Sequence, residues 1–88
     1  MTDEPSPEIR AELETLTARA KAADAAVTEY VERVTAERKQ AFPAPEQVLD
    51  RATWPETESA ELARLREAAL AAWRPVWDLR KRHGLGWQ

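Results

Sequence analysis

The chain has eighty-eight residues, no cysteine and a single histidine, His83, which excludes a disulfide framework and thiolate metal sites. Its formal charge of −3 argues against general coating of nucleic acid, and no apolar run approaches the ~20 residues that span a bilayer. So short a chain forms one domain at most and gains little from a single core, so association is the first compensation to expect.

The opening MTDEPSPE is acidic and polar, unlike the basic and then apolar start of a secretory leader. A cytoplasmic protein is therefore expected. Ten arginines against three lysines, with frequent alanine, suggest a GC-rich bacterial or phage coding sequence.

Residues 1–5 read as a disordered tail. A helix over 6–41 follows. Ser6 can cap free N–H groups, Pro7 suits the first helical position, and Glu8 matches the positive end of the dipole. Ile9, Leu13, Leu16, Ala20, Ala23, Val27, Tyr30 and Val34 recur at alternate spacings of four and three, a heptad seam that Val31 widens. Glu29, Arg33 and Glu37 form a ladder of i,i+4 pairs on the outer face. At ~1.5 Å per residue the helix is about 50 Å long.

Residues 42–53 form the connection. Pro43 and Pro45 stop the first helix, and Pro45 to Ala52 can make a short helical turn. Phe42, Val48 and Leu49 are then expected to tuck against the end of the bundle.

A second helix is expected over 54–83. Thr53-Trp54-Pro55-Glu56 fits a capping box with proline in the first turn, and Thr57 and Ser59 are alternative starts. Its seam is Leu62, Leu65, Ala69, Ala72, Val76 and Leu79. Gly84 suits a left-handed stop, Leu85 can fold back on the last turn, and 84–88 read as a tail. Two long helices on a short connection predict an all-α, coiled-coil-like antiparallel hairpin. Alanines near the middle of both seams let the backbones approach closely. Two such hairpins are expected to pair into a four-helix bundle.

Four features are candidates for function. Leu70, Trp73 and Trp77 form a second stripe beside the main seam of the second helix. A hairpin covers one stripe per helix, so a bulky second one marks a partner surface, with a homodimer as the simplest solution. The competing reading covers these side chains internally, by Phe42, Trp54 or the C-terminal tail. Pro75 lies between the two tryptophans and removes a helical hydrogen bond. It either bends the helix around its partner or angles Trp77 outward, and a break near Arg74 would undo the topology.

Arg80, Lys81 and Arg82 next to Trp77 and Trp87 imitate a nucleic-acid patch. The dipole alone favours cations at a helix end, however. Residues 1–14 also carry five acids against Arg10, a balance of −4, while 74–88 carry four cations against Asp78, a balance of +3. The hairpin brings these ends together, so pairing within the chain competes with phosphate binding.

Catalysis finds no foothold. The inward positions are apolar, and the sequence has no nucleophile with its base and no phosphate-cradling glycine loop. No cofactor, metal or small-molecule substrate is expected. The expectation is a non-enzymatic interaction protein that binds itself or another protein.

Overall fold

A computed structural model describes residues 6–84. The first long helix, α1, spans Pro7–Ala41. A 3-10 turn at Pro45–Gln47 leads into a short helix, α2, at Val48–Ala52, and a second long helix, α3, spans Glu56–Arg82. α1 and α3 pack side by side as an antiparallel hairpin with α2 at its closed end. Among the described residues there is no strand, and no helix is long and apolar enough to cross a membrane.

The start of α1 follows from three residues. The Ser6 hydroxyl accepts the Ile9 N–H at 3.3 Å, Pro7 opens the helix, and Glu8 sits in its first turn. The helix ends where Pro43 forbids it to continue. Phe42 caps it in a non-helical conformation and donates its N–H to the Arg38 carbonyl at 2.9 Å.

The start of α3 differs from expectation. Thr53 makes no capping box; its N–H and its hydroxyl both donate to the Leu49 carbonyl, at 2.9 and 2.7 Å, and so close α2. Trp54 precedes a proline, which disfavours helical geometry there. α3 therefore begins at Glu56, with Pro55 as an extended cap whose carbonyl accepts from Ser59 at 3.0 Å. Downstream, α3 runs without interruption through Pro75, so the break near Arg74 does not occur. At its far end Gly84 takes φ +66°, the left-handed region that glycine enters without steric cost. Leu85 and Trp87 lie outside the described residues, as does the tail at 1–5.

The two seams form the core. Ala20, Val34, Ala69, Val76 and Leu79 are buried, and the remaining seam residues, Ile9, Leu13, Leu16, Ala23, Val27, Tyr30, Leu62, Leu65 and Ala72, are half-buried. The alanines matter because Ala20 is fully enclosed and Ala69 nearly so, and a larger side chain there would push the helices apart.

Such a core is one layer thick. The molecule measures 64 × 21 × 16 Å with a radius of gyration of 18.9 Å, against ~12 Å for a compact domain of this length. Its accessible surface is 6810 Å², against ~5,200 Å² for a compact monomer of this mass.

The closed end is built by arginines, and this overturns one expectation. Val48 and Leu49 do not tuck under the hairpin; they are 57% and 79% exposed. Arg51 faces inward instead, and its Nη1 donates to the carbonyls of Phe42 and Ala44 at 2.7 and 2.8 Å. Leu49, two residues away, lies ~200° round the helix and must point outward. Arg38 donates to the Asp50 carbonyl and lies over the Phe42 ring, 4.7 Å from its centroid. The Gln47 side chain accepts the Ala44 N–H at 3.0 Å. The polar backbone of the connection is thus satisfied by side chains, and the apolar residues of α2 are left outside.

Candidate functional site

The second stripe occupies one edge of α3. Leu70, Trp73 and Trp77 are spaced three and four apart, so they share a helical face. That face is rotated from the seam of Leu62, Leu65, Ala69, Ala72, Val76 and Leu79, which α1 covers. Leu70 is 42% exposed and Trp77 40%.

Trp73 is half-buried, and its environment explains why. Its indole Nε1 donates to Asp24 Oδ2 across the hairpin at 2.8 Å. Asp24 is the one acid in the alanine-rich middle of α1, AKAADAAV. The bond satisfies the only polar atom of the indole, so the ring can be covered without leaving a donor unpaired. It also holds the ring in place between Leu70 and Trp77.

Of the three internal covers proposed for this stripe, Trp54 and Phe42 are occupied elsewhere, and the C-terminal tail beyond Gly84 lies outside the described residues. Trp54 packs edge-on against Tyr30, with ring centroids 6.2 Å apart and planes at 70°. Phe42 lies under Arg38 at the closed end. Leu70 and Trp77 remain open on a surface whose other end holds Arg66, also exposed.

The basic end divides. Arg80 is half-buried beside a groove lined by Leu13, Glu14, Thr17, Ala18 and Lys21, while Lys81 and Arg82 are exposed. Consecutive residues project ~100° apart round a helix, so the three cations do not form one stripe. The hairpin places Arg80 alongside the acidic first part of α1, where Glu14 offsets a positive field.

Elsewhere the electrostatics are structural. Arg64 and Glu61 make a forked pair within α3, with both bonds at 2.7 Å. The hydrogen bond from Arg64 holds the Glu61 carboxyl below its ordinary value and raises Arg64 above its own. The Tyr30 phenol is pushed up by burial first, then by the carboxylates of Glu58 and Glu61. Arg33 does not extend the expected charge ladder with Glu29 and Glu37; its guanidinium lies over the Tyr30 ring, 5.2 Å from the centroid.

Sequence reasoning missed three contacts: Asp24 with Trp73, Tyr30 with Trp54, and Arg51 with the connection carbonyls. A lone acid among alanines and a lone arginine in a proline-broken segment were the available signals. Compared with known protein families, with characterised proteins and with solved structures, the chain matches none.

Proposed function

We propose that this chain is a non-enzymatic protein–protein interaction module, an adaptor, assembly or regulatory protein of the cytoplasm. It acts through the face of Leu70, Trp73 and Trp77, and its first partner is a second copy of itself, giving four helices in one bundle. One observation carries the reading: Leu70 and Trp77 lie open beside a tryptophan already fixed by Asp24. A covered tryptophan removes ~200 Å² of apolar surface from water, and interface energy concentrates in such anchors.

The inward positions of both long helices are apolar, which supports binding over catalysis. The apolar face, not the divided basic end, supports protein over nucleic acid as partner. Surface charges then set orientation and partner choice.

Sedimentation equilibrium of the purified chain tests the proposal. A dimer that Trp77→Ala dissociates, with helical circular dichroism retained, is the expected result. Dissociation accompanied by loss of helix would place Trp77 in the hairpin's own core and overturn the reading. Nucleic-acid binding at low salt that weakens steeply as salt rises would shift the function to Arg80, Lys81 and Arg82.

A further inference from the structure

The stripe continues beyond its apolar part. Arg66, Leu70, Trp73, Trp77 and Arg80 follow one another along α3 at spacings of four, three, four and three. An arginine therefore stands one heptad on each side of Trp73. A two-fold interface brings a surface against itself, so its pattern must be self-complementary when reversed. Arg66, Leu70, Trp73 and Trp77 meet that requirement about their own midpoint, because 66 pairs with 77 and 70 with 73, setting cation against aromatic and aliphatic against aromatic.

The alignment follows from the spacing. Set two α3 helices antiparallel with Leu70 opposite Trp73 of the second copy. Arg66 then falls opposite Trp77 of the second copy, because each pair adds to the same register. Arg80 falls opposite Ala63, whose small side chain leaves room for it. The two-fold axis passes midway between the levels of Ala71 and Ala72, both of which project away from this face.

Within its own chain, Arg66 is exposed and makes no side-chain hydrogen bond or ion pair among the described residues. The chain already stacks arginine on aromatic rings twice, Arg33 on Tyr30 and Arg38 on Phe42. A guanidinium over a tryptophan face is the stronger form of that contact. α1 offers no matching stripe. Flanking its seam on the Asp24 side are Arg10, Thr17, Asp24, Val31 and Arg38, of which Val31 alone is apolar. The contact between copies must then centre on α3.

The elongated chain has surface to spare: its 6810 Å² exceeds that of a compact monomer by ~1,600 Å², about twice the ~800 Å² that a standard interface takes from each partner.

We infer that the α3 face is covered by a second copy running antiparallel, with Arg66 of each chain stacked on Trp77 of the other. This rests on the reading of that face as an interaction surface, and the experiment separates the two.

The chain has no cysteine, so Ala60→Cys and Ala71→Cys each accept a single nitroxide label at an exposed position of α3. Electron–electron distances are measured in the full-length protein. The antiparallel register places the two labels at position 60 about 35 Å apart along the axis, at ~1.5 Å per residue, and those at 71 nearly level. A long distance at 60 with a short one at 71 is expected. Equal short distances at both positions mean a parallel pair, which overturns this register and leaves the interaction face standing. Unpaired labels in a monomer overturn the self-association itself. In the same protein, Arg66→Ala should raise the dimer dissociation constant roughly tenfold through two lost cation–π contacts, with helix content unchanged. An unchanged constant would remove Arg66 from the interface.

Discussion

The closed end of the hairpin and the outer edge of α3 use the same residue types to opposite ends. At the closed end Arg33, Arg38 and Arg51 are all engaged within the chain, over Tyr30, over Phe42 and on the Phe42 and Ala44 carbonyls. Trp54 is seated against Tyr30. On α3, Arg66 and Trp77 have no such internal role among the described residues, and Leu70 stands open between them. Exposed apolar residues occur in both regions, since Val48 and Leu49 are more exposed than Leu70 or Trp77. The difference is organisation. Val48 and Leu49 are neighbours in sequence on a five-residue helix and project in different directions. Leu70, Trp73 and Trp77 are aligned on one long rigid helix, with the middle ring fixed by Asp24. Exposure alone does not mark an interface; the proposed one rests on exposure along a fixed and continuous face.

Substitutions separate the two regions. The largest effect belongs to neither region. Leu79→Ala removes a buried seam side chain and should cost about 2–5 kcal/mol, read as a fall in urea midpoint. Association should be lost with it, because the face depends on the hairpin beneath.

Trp77→Ala should act the other way round. It should cost association about 2 kcal/mol or more while leaving the thermal midpoint of the isolated hairpin nearly unchanged. A similar loss from Leu49→Ala would erase the distinction between the regions, since Leu49 is predicted to matter to neither.

Arg51→Ala leaves the Phe42 and Ala44 carbonyls without their donor and should destabilise the hairpin by about 1.5–3 kcal/mol. Dimerisation of the folded fraction should survive.

Asp24→Ala is the intermediate case, because it touches the face through Trp73. A loss of about 1 kcal/mol is expected, shared between folding and association, and Asp24→Asn should recover part of it.

The smallest effects are with pH. Glu61 is held below its ordinary value by Arg64, so its contribution is present above the unfolded carboxyl value and lost as pH falls through the folded one. Tyr30 is raised above 10.0, so its contribution is present below that value and lost as pH rises through the folded one. Thermal melts across pH should therefore decline at both extremes, and Tyr30→Phe should abolish the alkaline decline alone.

Most of the fold was legible in the sequence. An uninterrupted three–four periodicity, the Ser6-Pro7 start and the Gly84 stop are local signals, and the hairpin follows from two such helices and a proline-broken connection. The stripe of Leu70, Trp73 and Trp77 was legible for the same reason, as a second periodicity on one helix. What the pattern did not carry was pairing across the hairpin. The bond from Trp73 to Asp24 joins residues 49 positions apart, and nothing in either helix alone selects that partner. The start of α3 was misplaced because a threonine followed three residues later by glutamate looks like a cap. The rule that a residue before proline leaves helical geometry outweighed it at Trp54. The fate of Val48 and Leu49 was missed because hydrophobicity suggested burial, whereas hydrogen-bond demand from the connection carbonyls drew Arg51 inward instead.

Hydroxyl-radical footprinting of the intact chain at high and low protein concentration reads the covering of α3 side chain by side chain. If a second copy covers α3, Leu70 and Trp77 should be protected at high concentration and oxidised on dilution, while Val48 and Leu49 oxidise equally at both. Equal oxidation of Trp77 at the two concentrations, with the chain dimeric at the higher one, would contradict the account and move the interface elsewhere.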